Sequence, residues 1–154
     1  MTMADQIVVM QAGRLMQQGT PDEIYSQPAD RFTADFIGRM NWLEAERDPA
    51  GAIRLLAGAV LPRAAPCSGA RYSVGVRPER ITLAPADGDI AVPATVRTVE
   101  NLGPDLHVRA ALADGGTVLV SIKNTGSARP VAGQQLRLGF APDSCIVLPD
   151  PASR

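Results

Sequence analysis

Turn-forming residues break this chain up before any long helix can form. Its 154 residues hold 14 glycines and 13 prolines, and beyond Arg39–Asn41 they punctuate a series of alternating apolar runs. Asp48-Pro49-Ala50-Gly51, Ala86-Asp87-Gly88-Asp89, Asn101-Leu102-Gly103-Pro104-Asp105 and Asp114-Gly115-Gly116 each combine residues that preset or tolerate turn backbone. Between them apolar side chains fall on every second position: Tyr72, Val74 and Val76; Ile81 and Leu83; Leu106, Val108, Ala110 and Leu112; Val118, Val120 and Ile122; Leu136, Leu138 and Phe140. A period of two marks a strand buried on one face. Ile90 to Glu100 reads as a longer strand whose Pro93, lacking an N–H, demotes its first half to an edge or a bulge. Arg63 to Ala70 and Lys123 to Gln135 read as loops, and Cys145 to Leu148 as the last strand. Turns at roughly 8–14-residue spacing imply about eight to ten short strands, hence a small closed or nearly closed β-barrel or a sandwich.

The first forty residues follow different rules. Ile7-Val8-Val9-Met10 reads as a buried-type strand, Gln11-Ala12-Gly13-Arg14 as a turn and Leu15-Met16-Gln17 as the returning strand of a hairpin. Thr20-Pro21-Asp22-Glu23 is a helix start: Thr20 caps, proline suits the first helical position, and Glu23 completes a capping box. Pro28 stops that helix, and a second begins near Asp30. There Phe32, Phe36 and Ile37 share a helical face expected to be core or interface, and Gly38 supplies the stop.

Composition narrows the function classes. Fifteen Lys and Arg against sixteen Asp and Glu give a net charge of -1, without the basic excess of a nucleic-acid binder. Aromatic residues are 4% of the chain, too few for a base-stacking platform. No apolar run approaches the ~20 residues that span a bilayer, and no basic segment leads into an apolar stretch as in a signal peptide. Hydrophobic residues at 45% are enough for a core. Cys67 and Cys145 are widely separated and form no CxxC. With His107 they match no zinc spacing, since a structural site needs about four ligands. The expectation is that Cys145 is a strand-core residue, Cys67 a loop residue and His107 a solvent-facing one.

Read in order, Met3 to Met10, Gly13-Arg14, Gly19-Thr20-Pro21-Asp22-Glu23-Ile24-Tyr25, Pro28, Phe32-Thr33-Ala34-Asp35-Phe36-Ile37-Gly38 and Asn41 resemble the end of the ATP-binding subunit of a bacterial ABC importer. Val76-Arg77-Pro78-Glu79 and Glu100-Asn101-Leu102-Gly103 resemble signatures of that family's C-terminal OB-like regulatory module, known as TOBE, and Gly133 to Leu148 its closing hairpin. The resemblance implies a mainly β fold: an OB-like (TOBE) β-barrel over 40–154, preceded over 1–39 by a short hairpin and two short helices that end an ATPase domain. It implies polyamine, iron, phosphonate or sugar uptake, with permease subunits and a solute-binding protein as partners of the parent. It also implies a cytoplasmic location, peripheral to the membrane without insertion, and a homodimer.

The sequence contains no G-x-x-x-x-G-K-[ST] loop to cradle phosphates. The family's other catalytic motifs would lie upstream of Met1. The expectation is therefore a non-catalytic fragment with no cofactor of its own, while ATP and magnesium belong to the parent chain. Candidate interface or regulatory residues are Arg77, Glu79, Glu100, Asn101, Gly103, Phe32 and Phe36. Arg77 and Glu79 either contact another module or subunit, or lie on the same side of a strand end and simply pair or cap a turn. Glu100 to Gly103 is either a turn with a positive-φ glycine or an interface or ligand site. An alternative is an OB-like module holding an oxyanion in backbone nests at Gly115-Gly116 and Gly126-Ser127. A nucleic-acid OB-fold is disfavoured by the charge and the scarcity of aromatics.

Overall fold

The computed structural model of the chain describes residues 5–64, 69–126 and 129–150. They fall into two compact units, Met1–Met40 and Asn41–Arg154.

In the first unit β1 (Ile7–Gln11) and β2 (Arg14–Gly19) form an antiparallel hairpin. Ala12 and Gly13 both have positive φ, 48° and 78°, as a two-residue hairpin turn with the twist of the strands demands. The register slips after Val9, so the pairing passes from Met10 with Leu15 to Val9 with Gln17. Helix α1 (Pro21–Ser26) opens on the full capping box. The Thr20 N–H donates to Glu23 Oε2 at 2.8 Å, and the Glu23 N–H donates to Thr20 Oγ1 at 3.3 Å. The Thr20 N–H foremost, and then the Thr20 hydroxyl, which donates to the same Oε2 at 3.0 Å, hold the Glu23 carboxyl below its usual pKa. Helix α2 (Arg31–Ile37) is capped by Asp30, whose Oδ1 accepts from the Thr33 N–H at 2.7 Å. Gln17 in β2 staples the link between the helices. Its side-chain amide donates to the Gln27 carbonyl at 3.0 Å and accepts from the Ala29 N–H at 2.7 Å.

Two expectations for this unit are corrected, those for the first strand and for Gly38. The first strand is not uniformly buried: Val9 is covered, while Val8 and Met10 on alternate positions are half exposed. Helix α2 turns Thr33 and Ala34 inward, leaving Phe32 half-buried and Phe36 exposed. Gly38 ends the helix in extended backbone (φ 174°), which any residue can adopt, so no left-handed cap operates there.

The second unit is two curled antiparallel sheets around one core, an OB-like barrel. The five-stranded sheet runs β11 (Cys145–Pro149), β6 (Arg71–Val76), β3 (Asn41–Arg47), β4 (Ala52–Leu55), β5 (Val60–Ala64). The four-stranded sheet runs β10 (Gln135–Phe140), β7 (Ile90–Asn101), β8 (Asp105–Leu112), β9 (Thr117–Lys123). The alternation expected along β8 holds: Leu106, Val108, Ala110 and Leu112 are all buried. Leu43, Ile53, Tyr72 and Val74 of one sheet share a core cluster with Val96, Val120, Leu138 and Phe140 of the other. Over 90–93 strand β7 pairs with β10 alone, and β8 joins from Ala94, so Pro93 sits where β7 has one strand neighbour. A bulge between Val96 and Thr98 bends β7 and lets one strand serve a curved sheet.

Ile81 to Leu83 is not a strand. Pro78–Arg80 is a 3₁₀ turn, after which Thr82 makes an isolated bridge to Gly139. Ile81 is buried and Leu83 packs on the same core, so their alternation plugs the barrel instead of extending a sheet. The segment passes so close to β10 that a Cβ on Gly139 would lie 2.5 Å from Pro85 Cα. Strand β5 also extends through Arg63 and Ala64, which the sequence reads as loop.

Candidate functional site

The candidate residues occupy three separate places. Arg77 follows β6 and caps the 3₁₀ turn, its carbonyl accepting from the Arg80 N–H at 2.9 Å. That turn packs against β9. Arg77 is only 4% exposed, whereas Glu79 and Arg80 face outward. Of the expected alternatives, the capping of a turn at the strand end is the one the backbone shows, with Arg77 buried and Glu79 exposed. Arg77 is thus a buried residue of the barrel, and Glu79 and Arg80 are the exposed charges of this corner.

Glu100, Asn101 and Gly103 meet at the β7–β8 hairpin. Asn101 Oδ1 accepts from the Gly103 N–H at 3.0 Å, and Gly103 has φ 85°, the left-handed region that glycine enters without a Cβ penalty. The Asn124 side-chain amide braces the same turn, donating to Asn101 Oδ1 at 3.2 Å and to the Gly103 carbonyl at 2.7 Å. Arg129 Nη2 donates in turn to Asn124 Oδ1 at 3.3 Å. Lys123 and Asp105 pair at 2.8 Å across β8 and β9. Glu100 lies 3.7 Å from Arg109 with both side chains about half exposed, a pair worth about 0–1 kcal/mol. The result is a braced polar tip carrying one exposed apolar residue, Leu102. Asn124 and Arg129 were not singled out from the sequence; an asparagine just beyond a strand was the available signal.

The first unit supplies the third place. Phe36 is 66% exposed and its ring lies 6.0 Å from that of Phe32, nearly parallel. On the hairpin, Met10 and Leu15 are directly opposite each other and both are more than half exposed. The first unit thus exposes apolar side chains on both its hairpin and its second helix.

The nest at Gly115-Gly116 is already filled: one N–H donates to the Leu112 carbonyl at 3.1 Å and the next to Asp114 Oδ1 at 2.9 Å, so neither amide is open to an anion. Gly126 has positive φ, while Ser127 and Cys67 lie outside the described residues. His107 is half-buried on β8, not fully solvent-facing, and Cys145 is buried, its thiol donating to the Pro142 carbonyl at 3.0 Å. Among the described residues no cluster of His, Cys, Asp or Glu could hold a metal ion, and no helix is long and apolar enough to cross a membrane. An open groove on the outer face of the four-stranded sheet is lined by Pro93, Thr95, Arg97, Ala111, Gln135 and Arg137. It does not enclose a ligand as small-molecule sites do.

Residues 74–148 match the TOBE domain family. The chain is 40% identical over 157 residues to the spermidine/putrescine import ATP-binding protein PotA 1 of Pseudomonas aeruginosa, covering 97% of this chain and 42% of the relative. It is 37% identical over 143 residues to the sn-glycerol-3-phosphate import ATP-binding protein UgpC 3 of Agrobacterium fabrum, covering 90% of this chain and 39% of the relative. The chain thus spans about two fifths of the length of these relatives. Among solved structures, the cytoplasmic molybdate-binding protein ModG superposes with a TM-score of 0.58 at 16% identity. That match covers 71% of this chain and 96% of ModG, a likeness of fold alone.

Proposed function

From a chain that carries a TOBE domain and aligns along nearly all its length with ATP-binding subunits of ABC importers, we infer a C-terminal regulatory and dimerisation module of such a subunit. The observation that carries this reading is the joining of two different things in one chain. An OB-like barrel follows a capped hairpin-and-helix unit that a free-standing ligand-binding barrel does not need. On this reading the first unit closes an ATPase domain, and its exposed Phe36, Met10 and Leu15 pack there. On the same reading the barrel receives regulatory contacts through Glu79 and the braced tip at Glu100 to Gly103. The parent works in the cytoplasm against the membrane, beside permease subunits and a solute-binding protein, and imports a small solute. Nucleic acid is not among its partners.

The chain itself performs no phosphoryl transfer. That chemistry needs phosphate-cradling, metal-holding and water-positioning groups together, and the sequence contains no phosphate-binding loop. The chain accordingly takes no cofactor, and ATP and magnesium act on the parent. Calorimetry with Mg-ATP on the purified chain tests this: no heat of binding at micromolar nucleotide is expected, and saturable binding there would refute it. The oxyanion-sensor reading is the weaker one, because the Gly115-Gly116 amides are occupied within the chain.

A further inference from the structure

Asn41 is the first residue of the second unit and of β3, and it is buried. Its main chain pairs with Val76 in β6. Its side chain reaches 78 residues along the sequence to β9, in the other sheet. There Oδ1 accepts from the Leu119 N–H at 2.7 Å and Nδ2 donates to the Leu119 carbonyl at 2.8 Å. Strand β9 is the outermost of its sheet and has β8 on one side only. In an antiparallel ladder alternate residues turn their N–H and C=O away from the neighbour. Because Leu119 gives both groups to Asn41, it belongs to that outward set, and Val118 and Val120 are the residues bonded to β8. A carboxamide carries one acceptor and donors in one plane, the same complement that a strand residue presents at an edge. Asn41 therefore does the work of a strand one residue long.

We propose that Asn41 is a latch tying the point where the chain enters the barrel to the open edge of β9, so that the two release together. The chemistry is selective. Leucine matches asparagine in shape but offers neither bond, aspartate keeps the acceptor and loses the donor, and glutamine is one methylene too long for the same seat. The latch is independent of which solute the parent imports and of whether the chain dimerises. It joins the entry strand to β9 beside the 3₁₀ turn that packs on the same strand, and movement of the entry strand reaches β9 through it.

Hydrogen exchange followed by NMR on the full chain tests it. In the unaltered protein the Leu119 N–H and the Asn41 side-chain amide protons should exchange through one opening event, with the same dependence on denaturant. In Asn41→Leu the Leu119 amide should exchange at least about tenfold faster, the loss expected for a buried hydrogen-bonded pair, while Val118 and Val120 keep their protection. Equal protection of Leu119 in both proteins would overturn the latch. So would a matching loss at Val118 and Val120, which would make Asn41 a general packing residue. If Asn41→Leu does not fold, the unaltered protein still decides: a fast-exchanging Asn41 side-chain amide contradicts the proposal, and a slow one opening with Leu119 supports it.

Discussion

The two units of this chain solve the burial problem in opposite ways. The barrel draws residues from both sheets into one cluster, from Leu43 and Tyr72 to Leu138 and Phe140, and keeps its exposed large apolar residues scattered at Leu56, Val60, Leu102 and Val131. The much shorter first unit covers Val9, Ile24 and Ala34 yet leaves Val8, Met10, Leu15 and Phe36 half exposed or more. Its order comes from polar devices: a capping box, an Asp30 cap, a Gln17 staple and a two-residue turn. Caps and staples fix local geometry at roughly 1 kcal/mol apiece, whereas each fully buried large apolar side chain contributes about 1.5–3 kcal/mol. A unit built mainly from the former is shaped to be completed by a neighbour, and one built from the latter stands alone.

The sharpest test of that contrast compares two phenylalanines. Phe140→Ala empties the barrel core and should cost about 3–5 kcal/mol in urea unfolding, while Phe36→Ala should change stability by less than about 0.5 kcal/mol, as surface substitutions do. Equal effects would erase the distinction. A smaller but still large loss is expected at Gly139→Ala. The new methyl meets the Pro85 backbone, which cannot swing aside like a flexible side chain, and about 2–3 kcal/mol should be lost to overpacking. An unchanged unfolding midpoint would mean that the 82–85 segment is free to move away from β10.

In the first unit Thr20→Ala should cost about 1 kcal/mol of local stability, read from exchange of the α1 amides. The same cap is sensitive to pH. The Glu23 carboxyl is held below its ordinary pKa in the folded chain. Its contribution is therefore complete above the ordinary carboxylate range and is lost as pH falls through the lowered value. Protection of the α1 amides, taken relative to their intrinsic exchange rate at each pH, should fall at acid pH in the unaltered protein and show less of that change in Glu23→Ala. The smallest effect is a gain. Ala12 holds a positive φ that alanine disfavours, so Ala12→Asn should stabilise the hairpin by about 0.5–1 kcal/mol. Loss of stability there would show that the turn is not the strained point.

What could be read from the sequence, and what could not, follows the distance over which each feature is determined. The Thr20 box, the β8 alternation and the Asn101–Gly103 turn are set by residues within a few positions of one another, and local rules found them. Ile81 and Leu83 alternate as a strand would, but Pro78 starts a 3₁₀ turn and Gly139, far along the chain, offers room for a bridge and nothing more. Arg77 looks like a surface charge until the turn folds it inward. A helical wheel leaves Phe36 as either core or interface; the two-turn helix buries one narrow stripe, Thr33 and Ala34 take it, and Phe36 is exposed. The role of Asn41 depends on a strand 78 residues away and leaves no local trace.

Light scattering on the full chain and on a polypeptide beginning at Asn41 tests the central claim, that the barrel is a self-sufficient module that also carries the dimer contact. The account predicts a folded dimer in both, because the barrel owns its core and an isologous contact is the simplest symmetric pairing. A dimer that becomes monomeric when the first forty residues are removed would assign association to the exposed apolar face of the first unit. A full chain that stays monomeric at tens of micromolar would contradict the account outright.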